Sequence, residues 1–243
     1  MHYFASDIHL GAGTPAEAHA TEHRFVAWLD RVATDAETIV LIGDIFDFWF
    51  EYRRVVPQGF TRSLAKLAEL TERGIRVVLL TGNHDMWVGD YLTRECGIEL
   101  YTTPQILTLG GARLFVAHGD NMKIDGDWLL KAMNATFRSR LARVLFSWLV
   151  HPDLAVRFGR WWSGNSRKRH QRSTLTEAVT EPLIAYAREH AATATELIDH
   201  YIFGHMHFPR DYRDGALHTV HLGCWEEGES YAMLDNAGHI TLK

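Results

Sequence analysis

Five short apolar runs organise the chain, and each ends in polar residues suited to chemistry. Residues 2–6 lead into Asp7 and His9, 38–42 into Gly43 and Asp44, and 76–81 into Gly82, Asn83 and His84. The run 113–117 leads into His118, and 197–203 into Gly204, His205 and His207. Apolar runs of this length, stopped by Gly or Asp, predict strands buried on both faces. Between them, 17–33 and 60–73 place apolar residues three and four apart, which predicts amphipathic helices. Strand alternating with helix predicts an α/β sandwich, with function gathered at the C-terminal ends of strands. The tail, 217–243, alternates apolar and polar residues around Asp235-Asn236-Ala237-Gly238, and so predicts terminal β-strands joined by a turn.

One segment breaks the pattern. Within 123–172 no strand run occurs, and Leu129, Leu130, Met133, Phe137, Leu141, Val144, Leu145 and Trp148 recur at helical spacing, followed by Trp161 and Trp162. Eleven Lys or Arg stand there against three Asp or Glu. That local balance of +8 leaves −13 for the remainder of a chain whose formal charge is −5. The expectation is a single domain over 1–243 carrying a helical cap insertion at 123–182. A solvated helical hairpin would show the same spacing. The concentration of cations and aromatics instead favours a cap that takes an acyl chain and faces an anionic membrane surface.

Composition narrows the classes further. A length of 243 residues suits one substantial core. The net negative charge argues against a general nucleic-acid binder. The two cysteines, Cys96 and Cys224, match no zinc spacing and read as reduced thiols. The chain opens on a strand-like run rather than a charged and then apolar leader, and its longest apolar stretch, 144–150, is too short to span a bilayer. The expected location is cytoplasmic, with peripheral contact at the inner membrane left open; the pattern fixes no oligomeric state.

Fifteen histidines make the strand ends the place to look for metal ligands. Taken singly, each cluster has an ordinary explanation: Gly43-Asp44 could cap a helix, Asn83 could serve a turn, and any one histidine could be a hydrogen-bonded structural residue. Jointly, the order D-x-H, G-D, G-N-H-D, H-G-D, G-H-x-H, each after a strand run, points to a metal centre.

That order resembles the calcineurin-like metallophosphoesterase superfamily over nearly the whole chain outside the insertion. The resemblance implies two mixed β-sheets flanked by helices and a binuclear centre. One ion would be held by Asp7, His9, Asp44 and His207, and the other by Asp44, Asn83, His118 and His205, with Asp44 bridging. Donors of nitrogen and oxygen without thiolate suit Mn, and also Fe or Zn. Two such ions lower the pKa of a shared water and neutralise phosphate oxygens. His84 is the candidate for protonating the leaving oxygen or stabilising the transition state, with Asp85 either orienting His84 or capping a turn.

The aromatic stretch from Gly43 to Tyr52, with Phe46, Phe48, Trp49 and Phe50, reads mainly as core, with one or two rings free to wall a substrate pocket. Together with the basic insertion, it gives a narrower resemblance, to the UDP-2,3-diacylglucosamine diphosphatases of lipid A synthesis. This implies release of UMP and 2,3-diacylglucosamine 1-phosphate from an acylated UDP-sugar. Asn165-Ser166 resembles the cap's substrate-contacting pair, so Ser166 would bond the sugar or phosphate, and Arg167, Lys168 and Arg169 would offset diphosphate charge beside Asn83, His84 and His205. The chain departs from well-known members in carrying His84 where they have Arg, and His170 and Ser173 near where they use Asn and Lys. Soluble nucleotides or small phosphoesters are the alternative substrates, and a metal-free interaction scaffold is the alternative class.

Overall fold

Apolar runs without a polar face need cover on both sides, and the fold supplies it. In a computed structural model that describes all residues except 123–135, 137–138, 173–175 and 227, with the side chains of 140, 160 and 165–172 also outside the description, two sheets lie between layers of helix. The first sheet has the order β11 (Ile240–Leu242), β10 (Tyr231–Leu234), β1 (His2–Ala5), β2 (Thr38–Ile42), β3 (Arg76–Leu80) and β4 (Glu99–Tyr101). The second runs β5 (Gln105–Leu109), β6 (Ala112–Ala117), β7 (His200–Phe203), β9 (Leu217–Leu222) and β8 (Pro209–Asp214). Strands β1 to β4 are mutually parallel, as are β6, β7 and β9, while β10, β11, β5 and β8 run antiparallel to their neighbours. Both sheets are therefore mixed.

Side-chain alternation sorts each strand between two cores. Phe4, Val40, Ile42, Val78 and Leu80 point between the sheets and meet Leu114, Val116, Ile202, Val220 and Leu222. Their neighbours Tyr3, Ala5, Ile39, Leu41, Val77 and Leu79 point outward and pack under α1 (Pro15–Val32), α2 (Thr61–Glu72) and α3 (Tyr91–Cys96). On the far side, Phe115, Tyr201 and Phe203 pack under Leu183 and Ala187 of a later helix, Glu181–Thr193. Helix α1 starts on a capping box, in which Thr14 and Glu17 satisfy each other's backbone N–H, with Pro15 in the first turn.

The cap appears as two helices, α4 (Arg140–Leu149) and α5 (Pro152–Arg172). The last residues of the expected 123–182 insertion lie against the sandwich. Residues 177–180 form a 3-10 turn whose Glu177 carbonyl and Thr180 hydroxyl both accept from Arg210 of β8, and Leu183 is core. The chain has rejoined the sandwich by Glu177, and the helix over Glu181–Thr193, α6, belongs to that sandwich.

Trp28 carries much of the outer core. It is fully buried, stacked on Phe25 and edge-on to Tyr3, Trp225 and Tyr231. Trp28→Ala should cost about 3–5 kcal/mol, read as a lower urea midpoint at unchanged slope; a midpoint shift of a few tenths of a kcal/mol would show that this cluster is not where the first sheet is held.

Candidate metal centre

The ladder of the first sheet continues past its strand ends. Asp7 N–H donates to the Gly43 carbonyl (3.1 Å), His9 N–H to Asp44 (3.0 Å) and Leu10 N–H to Ile45 (2.8 Å). Trp225, just after β9, donates its N–H to the Asp7 carbonyl at 3.2 Å, so the loops of both sheets close over one spot. The backbone there is strained. Among the described residues, the non-glycines with left-handed φ are Asp7, His9, Asp44, His205, His207 and, elsewhere, Phe60. L-residues avoid this region, and such strain gathers at functional sites.

Six of the expected ligands come together in two groups. Asp7, His9 and His207 place one ligand atom each within 4.8 Å of one another, and Asp44, His118 and His205 do the same. In the first group His207 Nε2 is 3.2 Å from Asp7 Oδ1 and 3.3 Å from His9 Nε2. In the second, His118 Nε2 is 3.4 Å from Asp44 Oδ2 and 3.2 Å from Asn83 Oδ1. A third group, His9, Asp44 and His84, links them, sharing His9 with the first and Asp44 with the second. Gly82 makes this approach possible: a Cβ there would stand 2.2 Å from Asp44 Oδ1 and 2.8 Å from His118 Nε2.

Asp7 and Asp44 are buried, and among the described residues no Lys or Arg pairs with either. Burial alone would raise both carboxyls. Burial is the largest single influence on each, yet the His207 hydrogen bond together with the charges of His207 and His118 overrides it at Asp7, which sits at about 2, and His118, His84 and His9 together override it at Asp44, which lies well below the ordinary carboxylate range. Burial likewise opposes charge on the histidines, yet the Asp44 carboxylate lifts His118 to about 10, and the Asp7 and Cys224 hydrogen bonds lift His207 to about 11. At His9 and His205 burial prevails over the nearby carboxylate charges and drives them down to about 3 and about 4, the neutral imidazole that ligates metals. His118 Nδ1–H donates to the Ile42 carbonyl at 2.9 Å, which reserves Nε2 for the centre. Buried carboxylates facing imidazole nitrogens, with protons standing in for cations, fit a pair of divalent ions.

His84 and Asp85 separate. The His84 ring is fixed by Nδ1–H donating to the Asp47 carbonyl (2.9 Å), which leaves Nε2 3.8 Å from Asp44 Oδ2. Of the two readings of Asp85, orienting His84 or capping a turn, the geometry fits the turn cap: its carboxylate accepts from Gly82 N–H (2.7 Å), and also from Ile45 N–H (2.9 Å), stapling the β2 loop to the β3 loop. Burial, then the charge on Asp44, raises Asp85 to about 6. Ser166, Arg167, Lys168 and Arg169 continue helix α5, and their side chains lie outside the described residues.

Two residues were missed in the sequence. Cys224 bonds His207, and its position after strand β9 and Gly223 repeats the strand-end pattern that marks Asp44. Asp47 touches the centre from beneath the cap, and nothing in its local pattern marks it. The aromatic stretch divides: Phe46 and Trp49 pack in the outer core with Phe60, whereas Phe48 and Phe50 line a cavity under α5. Asp44→Asn should leave the chain folded, empty it of both ions and abolish turnover, by metal analysis and phosphoesterase assay; a fully metallated, active variant would remove Asp44 from its shared position.

Comparison with known proteins agrees with this geometry. The Calcineurin-like phosphoesterase family matches residues 3–209. A UDP-2,3-diacylglucosamine hydrolase of Porphyromonas gingivalis is 39% identical, with 96% of this chain and 93% of that one covered. Proteins of the same name from Azotobacter vinelandii and Edwardsiella ictaluri are 31% and 29% identical, each over 97% of this chain, covering 95% and 88% of their own lengths. The chain belongs to the calcineurin-like phosphoesterase family and is a metal-dependent phosphoesterase.

Proposed function

We propose that the chain hydrolyses the pyrophosphate of UDP-2,3-diacylglucosamine, giving UMP and 2,3-diacylglucosamine 1-phosphate. The observation that carries this reading is the 39% identity, over 96% of the chain, to a relative named for that substrate. Asp7, His9, Asp44 and His207 would hold one ion and Asp44, Asn83, His118 and His205 the other, with manganese the favoured metal for a nitrogen and oxygen donor set. When bound, the two ions activate water and neutralise phosphate oxygens.

The chain's own residues then orient the ester. Water adds to the α-phosphorus, the bond to the bridging oxygen breaks, and the sugar phosphate leaves. His84, held through Nδ1–H, presents Nε2 to that leaving oxygen, and in its doubly protonated form hands it the Nε2 proton. Asn83 and His205 contact the diphosphate beside it, Ser166 bonds the sugar or phosphate, and Arg167, Lys168 and Arg169 offset its charge. A cavity of about 350 Å³ lies between the 47–60 loop and the start of α5, and Phe48, Phe50, Val56, Phe60 and Val156 give it an apolar side that suits an acyl chain, while Asp47, Gln58, Asp153 and Arg157 supply its polar part.

On this reading the cap's outer face meets an anionic inner-membrane surface. Leu141, Val144, Leu145, Trp148 and Leu149 occupy one face of α4 and are exposed, Trp148 at 84%. Leu154, Phe158, Trp161 and Trp162 do the same on α5. Apolar and aromatic residues in a segment of +8 are the composition of an interfacial helix. No described helix is long and apolar enough to cross a membrane.

With manganese and ¹⁸O-labelled water, UMP should form from the acylated UDP-sugar and carry the label. A folded, metal-loaded protein that yields no UMP above a chelated control would remove this substrate. Separately, the chain should float with phosphatidylglycerol vesicles and not with phosphatidylcholine. Flotation that survives Trp148→Ser with Leu149→Ser would take the outer face of α4 out of the contact.

A further inference from the structure

Asp47 stands where the cap meets the metal centre. It is 4% exposed, and its Oδ1 accepts the hydroxyl hydrogen of Ser163, itself 1% exposed on α5. The same Oδ1 lies 3.8 Å from His9 Nδ1. That nitrogen is buried without a hydrogen-bond partner, while His9 Nε2 turns toward His207 and Asp7. Asp47 N–H is tied to the Leu10 carbonyl at 2.9 Å, so its backbone cannot drift from the His9 loop.

The helix above is shaped for this contact. Ala155, Gly159 and Ser163 fall on one face of α5 at intervals of four, and all are buried. A Cβ on Gly159 would stand 2.3 Å from the Phe48 ring, so only glycine lets the helix descend far enough for Ser163 to reach Asp47. Small residues on the helix thus set its height, and the hydroxyl at the end of the stripe sets its register.

We propose that Asp47 is the joint through which the cap fixes the metal centre, with Ser163 holding the carboxylate and the carboxylate holding the Nδ1 side of ligand His9. Both are positioning residues. A carboxylate behind a ligating imidazole fixes its ring and tautomer, and losing one typically weakens metal binding about 10–100-fold. The inference rests on the metal assignment above and is independent of the substrate.

Manganese titration of the full chain tests it without any assay of turnover. Asp47→Asn should weaken binding of one ion about tenfold, and Ser163→Ala should weaken the same ion by a smaller factor. The double variant should bind no more weakly than Asp47→Asn alone, because Ser163 acts through Asp47. Equal melting temperatures in chelator would establish that Ser163→Ala is folded, and that variant decides alone if Asp47→Asn is not. Wild-type affinity in both variants, or fully additive losses in the double variant, would overturn the joint. A wild-type chain that takes up no manganese would overturn the metal reading with it.

Discussion

Two carboxylates buried at one point impose the constraint that the rest of the structure serves. Asp7 and Asp44 come from adjacent parallel strands, and neither has a Lys or Arg partner among the described residues. Uncompensated, a buried anionic pair would cost more than the domain's stability. The surrounding imidazoles answer that charge, and they come from both sheets: His9 from the first, His118, His205 and His207 from the second. The centre is therefore also a cross-link between the two halves of the sandwich.

Strain is part of this arrangement. Five of the candidate ligands adopt left-handed φ, each at a cost of order 1–3 kcal/mol. Hydrogen bonds that extend the sheet past its strands hold them there, as do side-chain staples onto backbone amides: Asp7 onto His205 N–H, Asp44 onto His84 N–H, and Asp85 onto Gly82 and Ile45. The acids around this site thus act twice, as charge for the centre and as fasteners for the loops that carry it.

Legibility followed burial. Strands β1, β2, β3 and β6 are covered on both faces, so their apolar runs stand out and their ends mark the candidate ligands. Strand β8, Pro-Arg-Asp-Tyr-Arg-Asp, lies at a sheet edge and is polar, while β4 has three residues; neither offers a pattern to read. Asp47 was opaque for another reason, as was the second bond of Asp85 beyond its local turn. The partners there, Ser163 and Ile45, lie 116 and 40 positions away, and no local spacing encodes a bond that distant. The contact of Thr180 with the sandwich is equally unmarked, because Arg210, its partner, stands 30 positions downstream.

The aromatic stretch after Asp44 has a consequence for how such a protein can change. Phe46 and Trp49 face the core, and Phe48 and Phe50 face the cavity beneath α5. Alternate positions of one short segment thus answer to different selective pressures. Exchanges at 50 can reshape the cavity while 44, 46 and 49 stay under the demands of chemistry and packing, and 48 stays bound to the close fit against Gly159 that seats α5. The shape of the cavity can drift at one position of this segment without the candidate ligands having to move.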